Sequence, residues 1–265
     1  MNPIKKFALA ASYVTCLPLY RFKANEEIDL SGLAKYLPLV GLLLGLILSI
    51  SSILLTLLGV NDILAAVLLT VLWLLLTNGL HLDGVMDTAD GIFSHQNQER
   101  MLVIMQDSRV GNFGVLTGVC ILLLKIAAMQ AIFSTSLPVI LLIAPIFGRV
   151  AECYAIGRYQ YARAEGKGKI WHDTTKLPLD LMLALIVPLA LCAYLVYIGF
   201  YYVITYAIAS LITGLIAAAY LNKKVGGHTG DTYGAVVELT ESISMILLIL
   251  LSGLFTLLAG LGVHH

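Results

Sequence analysis

The chain has 265 residues, of which 59% are hydrophobic and 12% charged, with Lys+Arg balancing Asp+Glu at a formal net charge of zero. A soluble domain carries about 25% charged residues, so this composition excludes an ordinary soluble globule. It points to a polytopic helical membrane protein in contact with the lipid bilayer. A neutral chain also offers no global field for binding nucleic acid.

The N-terminal run from Phe7 to Leu19, behind Lys5 and Lys6, resembles a signal peptide. No small-x-small site closes it, and Pro18 and Arg21 end it before it is long enough to span. It reads as an interfacial or re-entrant helix, followed by a polar linker over 22–35. Seven membrane spans are expected after it, near 36–58, 62–80, 113–133, 137–157, 178–198, 200–221 and 235–261, each close to the ~20 residues a bilayer needs. The expected product is one membrane domain over 1–265: an N-terminal segment (1–35) and an all-α transmembrane bundle (36–261) with loops at 81–112, 158–177 and 222–234. Gly41 and Gly45 fit the small-xxx-small pattern for close helix approach. The closing His264-His265 pair reads as the stub of a purification tag.

Fourteen of the sixteen basic residues fall before the first span or in alternate loops: Lys5, Lys6, Arg21, Lys23, Lys35; Arg100, Arg109; Arg158, Arg163, Lys167, Lys169, Lys176; Lys223, Lys224. The positive-inside rule makes that side cytoplasmic, with the N-terminus inside and the C-terminus outside. The long polar loops lie on the same side, so the active face is expected there. Lys125 and Arg149 fall inside spans, where an unpaired charge costs about 2.5–3.5 kcal/mol. Arg149 has Glu152 at i+3 as a candidate partner, and otherwise reads as an anion-binding arginine. Lys125 lies deeper and reads as structural. Cys16, Cys120, Cys153 and Cys192 lack metal or disulfide spacing and read as small packing residues.

Two polar clusters interrupt the apolar sequence. The first is His81-Leu-Asp-Gly-Val-Met-Asp-Thr-Ala-Asp-Gly91, continued by Met105-Gln-Asp-Ser-Arg-Val-Gly111. On a helix, Asp83, Asp87 and Asp90 lie within about 60° of one another. Carboxylates so close repel unless a cation sits among them, and hard oxygen donors suit Mg²⁺. The second cluster is Gly226-Gly-His-Thr-Gly-Asp-Thr-Tyr-Gly-Ala235, leading to Glu238 and Glu241. If a helix starts at Asp231, these three acids share a face about 80° wide. Glu238 and Glu241 sit where a span excludes carboxylates, so they read as a metal-facing or substrate-binding set; a helix cap accounts for Asp231 alone. In the loop 158–176, Arg163 is the strongest phosphate-binding candidate, against a plain topological role for the loop's basic and aromatic residues.

A carboxylate and Mg²⁺ cluster beside arginines suits a pyrophosphate-bearing substrate, which implies a phosphotransferase that displaces a nucleotide. The two clusters, with Tyr161-Ala-Arg163, Glu165-Gly166 and Lys125, resemble the cobalamin synthase family over nearly the whole chain. The resemblance implies a Mg²⁺-dependent enzyme of the cytoplasmic membrane. It would join the cobinamide phosphate of adenosylcobinamide-GDP to α-ribazole or its 5′-phosphate, with release of GMP. Mapped onto this chain, Asp83, Asp87 and Asp90 would hold Mg²⁺, and Asp107 would complete the shell or act as general base. Arg109 and Arg149 would stabilise phosphate charge, while His81, Arg163, Asp231, Glu238 and Glu241 would line the substrate cavity. Docking with other corrinoid enzymes or with a corrinoid importer would account for the membrane location, and a homo-oligomer is the other partner expectation. One departure is Thr15-Cys16-Leu17-Pro18, where the family reads Thr-Arg-Leu-Pro; Arg21 is the nearest replacement. His228 and Tyr233 receive no catalytic role. Two other readings compete: a CDP-alcohol-type phosphotransferase of phospholipid synthesis, suggested by the Asp-x₃-Asp-x₂-Asp spacing, and a transporter. Transport predicts acids reaching both faces, whereas here Asp62 alone falls on the far side.

Overall fold

In hydrocarbon a backbone must satisfy its own polar groups, so an apolar chain resolves into helices. A computed structural model describes residues 1–21, 29–132 and 136–261, and its ordered elements are helical throughout. They are α1 (Pro3–Val14), α2 (Leu37–Leu57), α3 (Asp62–Leu76), α4 (Leu80–Phe93), α5 (Gln98–Ile104), α6 (Asn112–Ala131), α7 (Leu137–Arg158), α8 (Lys167–Thr174), α9 (Leu179–Tyr197), α10 (Tyr202–Val225) and α11 (Gly230–Leu261). Lys23 and the His264-His265 pair lie outside the described residues.

Among the described residues, six helices (α2, α6, α7, α9, α10 and α11) are long and apolar enough to cross a bilayer. The protein is a multi-pass membrane protein, as its composition requires. The expected span at 62–80 is shorter. Asn61 caps α3 by accepting the Leu64 N–H at 3.0 Å, and the helix stops at Leu76. Asn78 and Gly79 then take positive φ, and α4 departs at 88° to α3. Only the α3–α4 pair together, with its 88° break, makes a seventh crossing, as one bent span or a re-entrant pair. The stretch 81–112, expected as a loop, therefore carries α4 and α5. The next, 158–177, carries α8. The last span begins at Gly230, five residues early.

Burial ranks the helices. The apolar window of α7 is 83% buried and that of α9 22%, so α7 is the central post and α9 faces lipid. Two glycine crossings set the packing. Gly41 and Gly45 of α2 rest against the backbone of Pro145 and Leu142 on α7. Gly84 of α4 rests against the Asp231 carbonyl at the start of α11, and Gly234 of α11 against the His81 backbone. A side chain at either would hold the helices apart. The N-terminal helix α1 buries Leu9, Ala10, Ala11 and Val14, and the Cys16 N–H donates to the Leu76 carbonyl at 2.8 Å. It lies against the bundle end where α3 stops. All four cysteines are free.

Candidate active site

The α4–α11 crossing brings the two polar clusters together, although about 140 residues separate them in sequence. With no side chain at Gly84, Asp83 and Asp87 on α4 come beside Asp231 on α11. Asp87 thus lies among the charges of Asp83, Asp231 and Asp90, which repel it. Arg163 pairs with Asp231 at 2.9 Å and donates to the Leu102 carbonyl at 3.4 Å. Its segment is clipped to the glycine loop: the Ala162 N–H donates to the His228 carbonyl at 2.7 Å and the His228 N–H to the Gln160 carbonyl at 2.9 Å.

These groups sit at a cavity of about 300 Å³, lined by His81, Asp83, Asp231 and Arg163 on its polar side. The opposite wall is aromatic. Tyr13 and Trp171 have ring centroids 5.3 Å apart, and Tyr161 and Tyr233 lie 6.4 Å apart. Glu152 of α7 lines the same cavity, 5% exposed.

The remaining acids of the first cluster have other work. Both oxygens of Asp90 accept backbone N–H groups at the start of α6, from Gly111 at 2.8 Å and Gly114 at 2.7 Å. Asp90 therefore holds the start of α6 onto α4, and in this structure both its oxygens are engaged in that helix-end contact. Asp107 accepts from the Arg109 N–H and side chain at 3.0, 3.0 and 2.7 Å, which holds its carboxyl down at about 2. Both residues are exposed, and neither lines the cavity. In this structure Asp107 and Arg109, expected as metal ligand or base and as phosphate-binding arginine, form a local surface pair.

Arg149, Glu238 and Glu241, expected at the substrate cavity, do not line it. They are 0%, 3% and 1% exposed and belong to a buried ionic network behind the cavity wall. Lys125 Nζ reaches Glu238 Oε2 at 2.7 Å and Glu241 Oε2 at 3.4 Å, and lies 4.2 Å over the Trp73 ring. Arg149 Nη1 pairs with Glu241 Oε1, and Nη2 bonds His81 Nδ1 at 3.2 Å. Glu152, the expected partner one turn on, feels the Arg149 charge, while the two terminal nitrogens bond Glu241 and His81 instead. Buried charges persist when paired with good geometry, and here two cations meet two carboxylates. Because a guanidinium only donates, His81 Nδ1 accepts, and the ring proton resides on Nε2. That Nε2 has no partner in the protein, and His81 lines the cavity.

Sequence reasoning missed Glu152 as a cavity residue, along with Tyr13, Trp171 and Tyr233. An acid inside a span was the available signal for Glu152. The aromatic residues gave none, because they converge from three separate segments. No three His, Cys, Asp or Glu side chains among the described residues close around a single ion. The donors facing the cavity are nonetheless hard carboxylate oxygens. Mg²⁺ is commonly held by one or two carboxylates, with water and substrate phosphate supplying the rest. Asp83, Asp87 and Asp231 fit that chemistry, and their mutual repulsion is what a cation would relieve.

Fold and site together define a multi-pass helical membrane protein with a carboxylate-rich, ligand-sized cavity at one end of its bundle. The chain belongs to the cobalamin-5-phosphate synthase family, whose model matches residues 6–250. Among its curated relatives is the adenosylcobinamide-GDP ribazoletransferase of Thermosynechococcus vestitus, 39% identical over 89% of this chain and 93% of the relative. The enzymes of the same name from a Synechococcus strain and from Acetivibrio thermocellus are 41% and 35% identical. They cover 88% and 93% of this chain, and 92% and 98% of their own length. The family is one of transferases. No solved structure matches the chain.

Proposed function

We propose that this protein joins the cobinamide phosphate of adenosylcobinamide-GDP to α-ribazole or its 5′-phosphate and releases GMP. The end of the bundle bearing the cavity faces the cytoplasm from the cell membrane, in keeping with the fourteen basic residues on that side. The observation that carries the reading is the meeting of Asp83 and Asp231 with Arg163 at one cavity, with Asp87 beside them, in a chain that shares its family with enzymes of that name.

The chemistry is an in-line displacement at phosphorus. A ribose hydroxyl of α-ribazole attacks the cobinamide phosphate, a P–O bond forms, and the P–O bond to GMP breaks. A carboxylate oxygen of the aspartate cluster takes the hydroxyl proton. Arg163, already tied to Asp231, sets a guanidinium against the phosphate oxygens. His81 offers its fixed Nε2–H to an oxygen of the substrate. Asp83, Asp87 and Asp231 would hold Mg²⁺, which when bound neutralises charge on the diphosphate. The corrinoid ring system far exceeds a 300 Å³ cavity and stays outside it, on the membrane surface.

The test is release of GMP from adenosylcobinamide-GDP by the purified, detergent-solubilised protein with α-ribazole and Mg²⁺. Release that depends on the acceptor, and that EDTA and Asp87→Asn both abolish, is the expected result. A folded preparation that releases none refutes the assignment.

A further inference from the structure

The cavity contains more unmet hydrogen-bonding capacity than phosphate chemistry needs. Six of its lining residues carry a buried side-chain atom with no partner in the protein: Tyr13 Oη, His81 Nε2, Glu152 Oε2, Arg163 Nε, Trp171 Nε1 and Tyr233 Oη. Buried polar groups are almost always paired, so such a set marks a place where a ligand supplies the partners. Five of the six atoms are donors or hydroxyls. Glu152 stands apart as an acid that only accepts when ionised, 5% exposed in the wall of a cavity with four aromatic rings. Arg149, its nearest expected counter-ion, is taken by Glu241 and His81.

We propose that this cavity is the subsite for the guanine of the nucleotide diphosphate, and that Glu152 is the residue that reads the base. The inference deepens the proposed function and rests on it. Guanine presents N1–H and the 2-amino group side by side, two parallel donors that match the two oxygens of a carboxylate. Its remaining edge offers O6 and N7 as acceptors, which suit indole, phenol and imidazole N–H or O–H donors. Its flat face suits a wall of Tyr and Trp, the arrangement by which proteins hold single bases. The benzimidazole of α-ribazole fits less well. Once glycosylated it has one ring nitrogen lone pair and no ring N–H, and would leave Glu152 without a partner. The volume agrees, since about 300 Å³ suits a base with its sugar. With the base against Glu152, the phosphates emerge toward Asp83, Asp231 and Arg163.

The experiment is calorimetric titration of the full-length protein in detergent with GMP, IMP and AMP. IMP lacks the 2-amino group, and AMP lacks N1–H as well. A hydrogen bond to a charged group changes affinity by roughly tenfold or more. GMP is therefore expected to bind at least about tenfold more tightly than IMP, with AMP weaker still. Glu152→Gln should erase the GMP–IMP gap, and Glu152→Asp should recover part of it. α-Ribazole should neither displace GMP nor lose binding in Glu152→Gln. Equal binding of the three nucleotides by the unaltered protein overturns the proposal without any variant. Displacement of GMP by α-ribazole, in a manner sensitive to Glu152, overturns it in favour of an acceptor site. Turnover separates the two readings. Guanine selectivity without transfer from adenosylcobinamide-GDP sinks the transfer reading alone, and transfer without Glu152-dependent selectivity sinks the guanine subsite alone.

Discussion

Lys125→Met tests whether the buried ionic network holds the bundle together as a unit. Methionine keeps the length and apolar bulk of the lysine stem and removes only the charge. Glu238, 2.7 Å from Nζ, then loses its cation, and Glu241 is left sharing Arg149. Removing one member of a buried pair costs about 3–5 kcal/mol, because the partner charge stays behind uncompensated. At about 2–4 °C per kcal/mol for a chain of this size, the apparent melting temperature in detergent should fall by roughly 10 °C. Glu238→Gln alone should also destabilise, since it leaves Lys125 with Glu241 at 3.4 Å. Combining the two removes one charge of each sign and leaves Arg149 matched to Glu241. The double variant should therefore be more stable than the sum of the singles implies, with a coupling of about 2–3 kcal/mol. Melting curves followed by circular dichroism on the four proteins close the cycle. Strict additivity would refute the argument, since it would mean the charges do not compensate each other.

Other outcomes follow from the site. In EDTA, Asp87→Asn should raise the apparent melting temperature, because it removes one of the crowded carboxylates beside Asp83 and Asp231, and Mg²⁺ should stabilise the unaltered protein more than the variant. A variant no more stable than the unaltered protein in EDTA would refute the crowding. Gly84→Ala would set a β-carbon 2.5 Å from the Asp231 carbonyl oxygen. It should cost about 1–3 kcal/mol and lower GMP release sharply, because it pushes Asp83 away from Asp231. Asp90→Ser retains a short acceptor for the start of α6 and should lower GMP release far less than Asp87→Ser; equal losses would return Asp90 to the metal site.

The helical bundle was legible from hydropathy alone, because a bilayer leaves an apolar backbone few alternatives. Asp83 and Asp87 were legible from helical spacing once α4 was taken as a helix. The same spacing did not foretell that the N-terminus of α6 packs on Asp90, since periodicity gives the face of a helix but not what packs on it. Arg149 and Glu152 illustrate the same limit. Their i, i+3 relation permits a pair, yet Glu241, remote in sequence, reaches Arg149 first. Glu238 and Glu241 were conspicuous as acids in a span, and their burial is correct, but only the fold shows Lys125 opposite them. The aromatic wall had no sequence signature, because Tyr13, Trp171 and Tyr233 come from three elements that only tertiary packing unites.

The order in which the network's charges are synthesised bears on how the protein is made. Lys125 and Arg149 reach the membrane on α6 and α7, while Glu238 and Glu241 follow only with α11, the last helix. A nascent chain holding the first but not the last must carry Lys125 and Arg149 in or near hydrocarbon before the two carboxylates they bond in the finished fold arrive. The unfinished protein is thus its least comfortable form, and the arrival of α11 is what commits it. A chain that stops before residue 230 lacks both carboxylates that bond Lys125 and Arg149, so the last helix completes the charge balance and the site at one stroke.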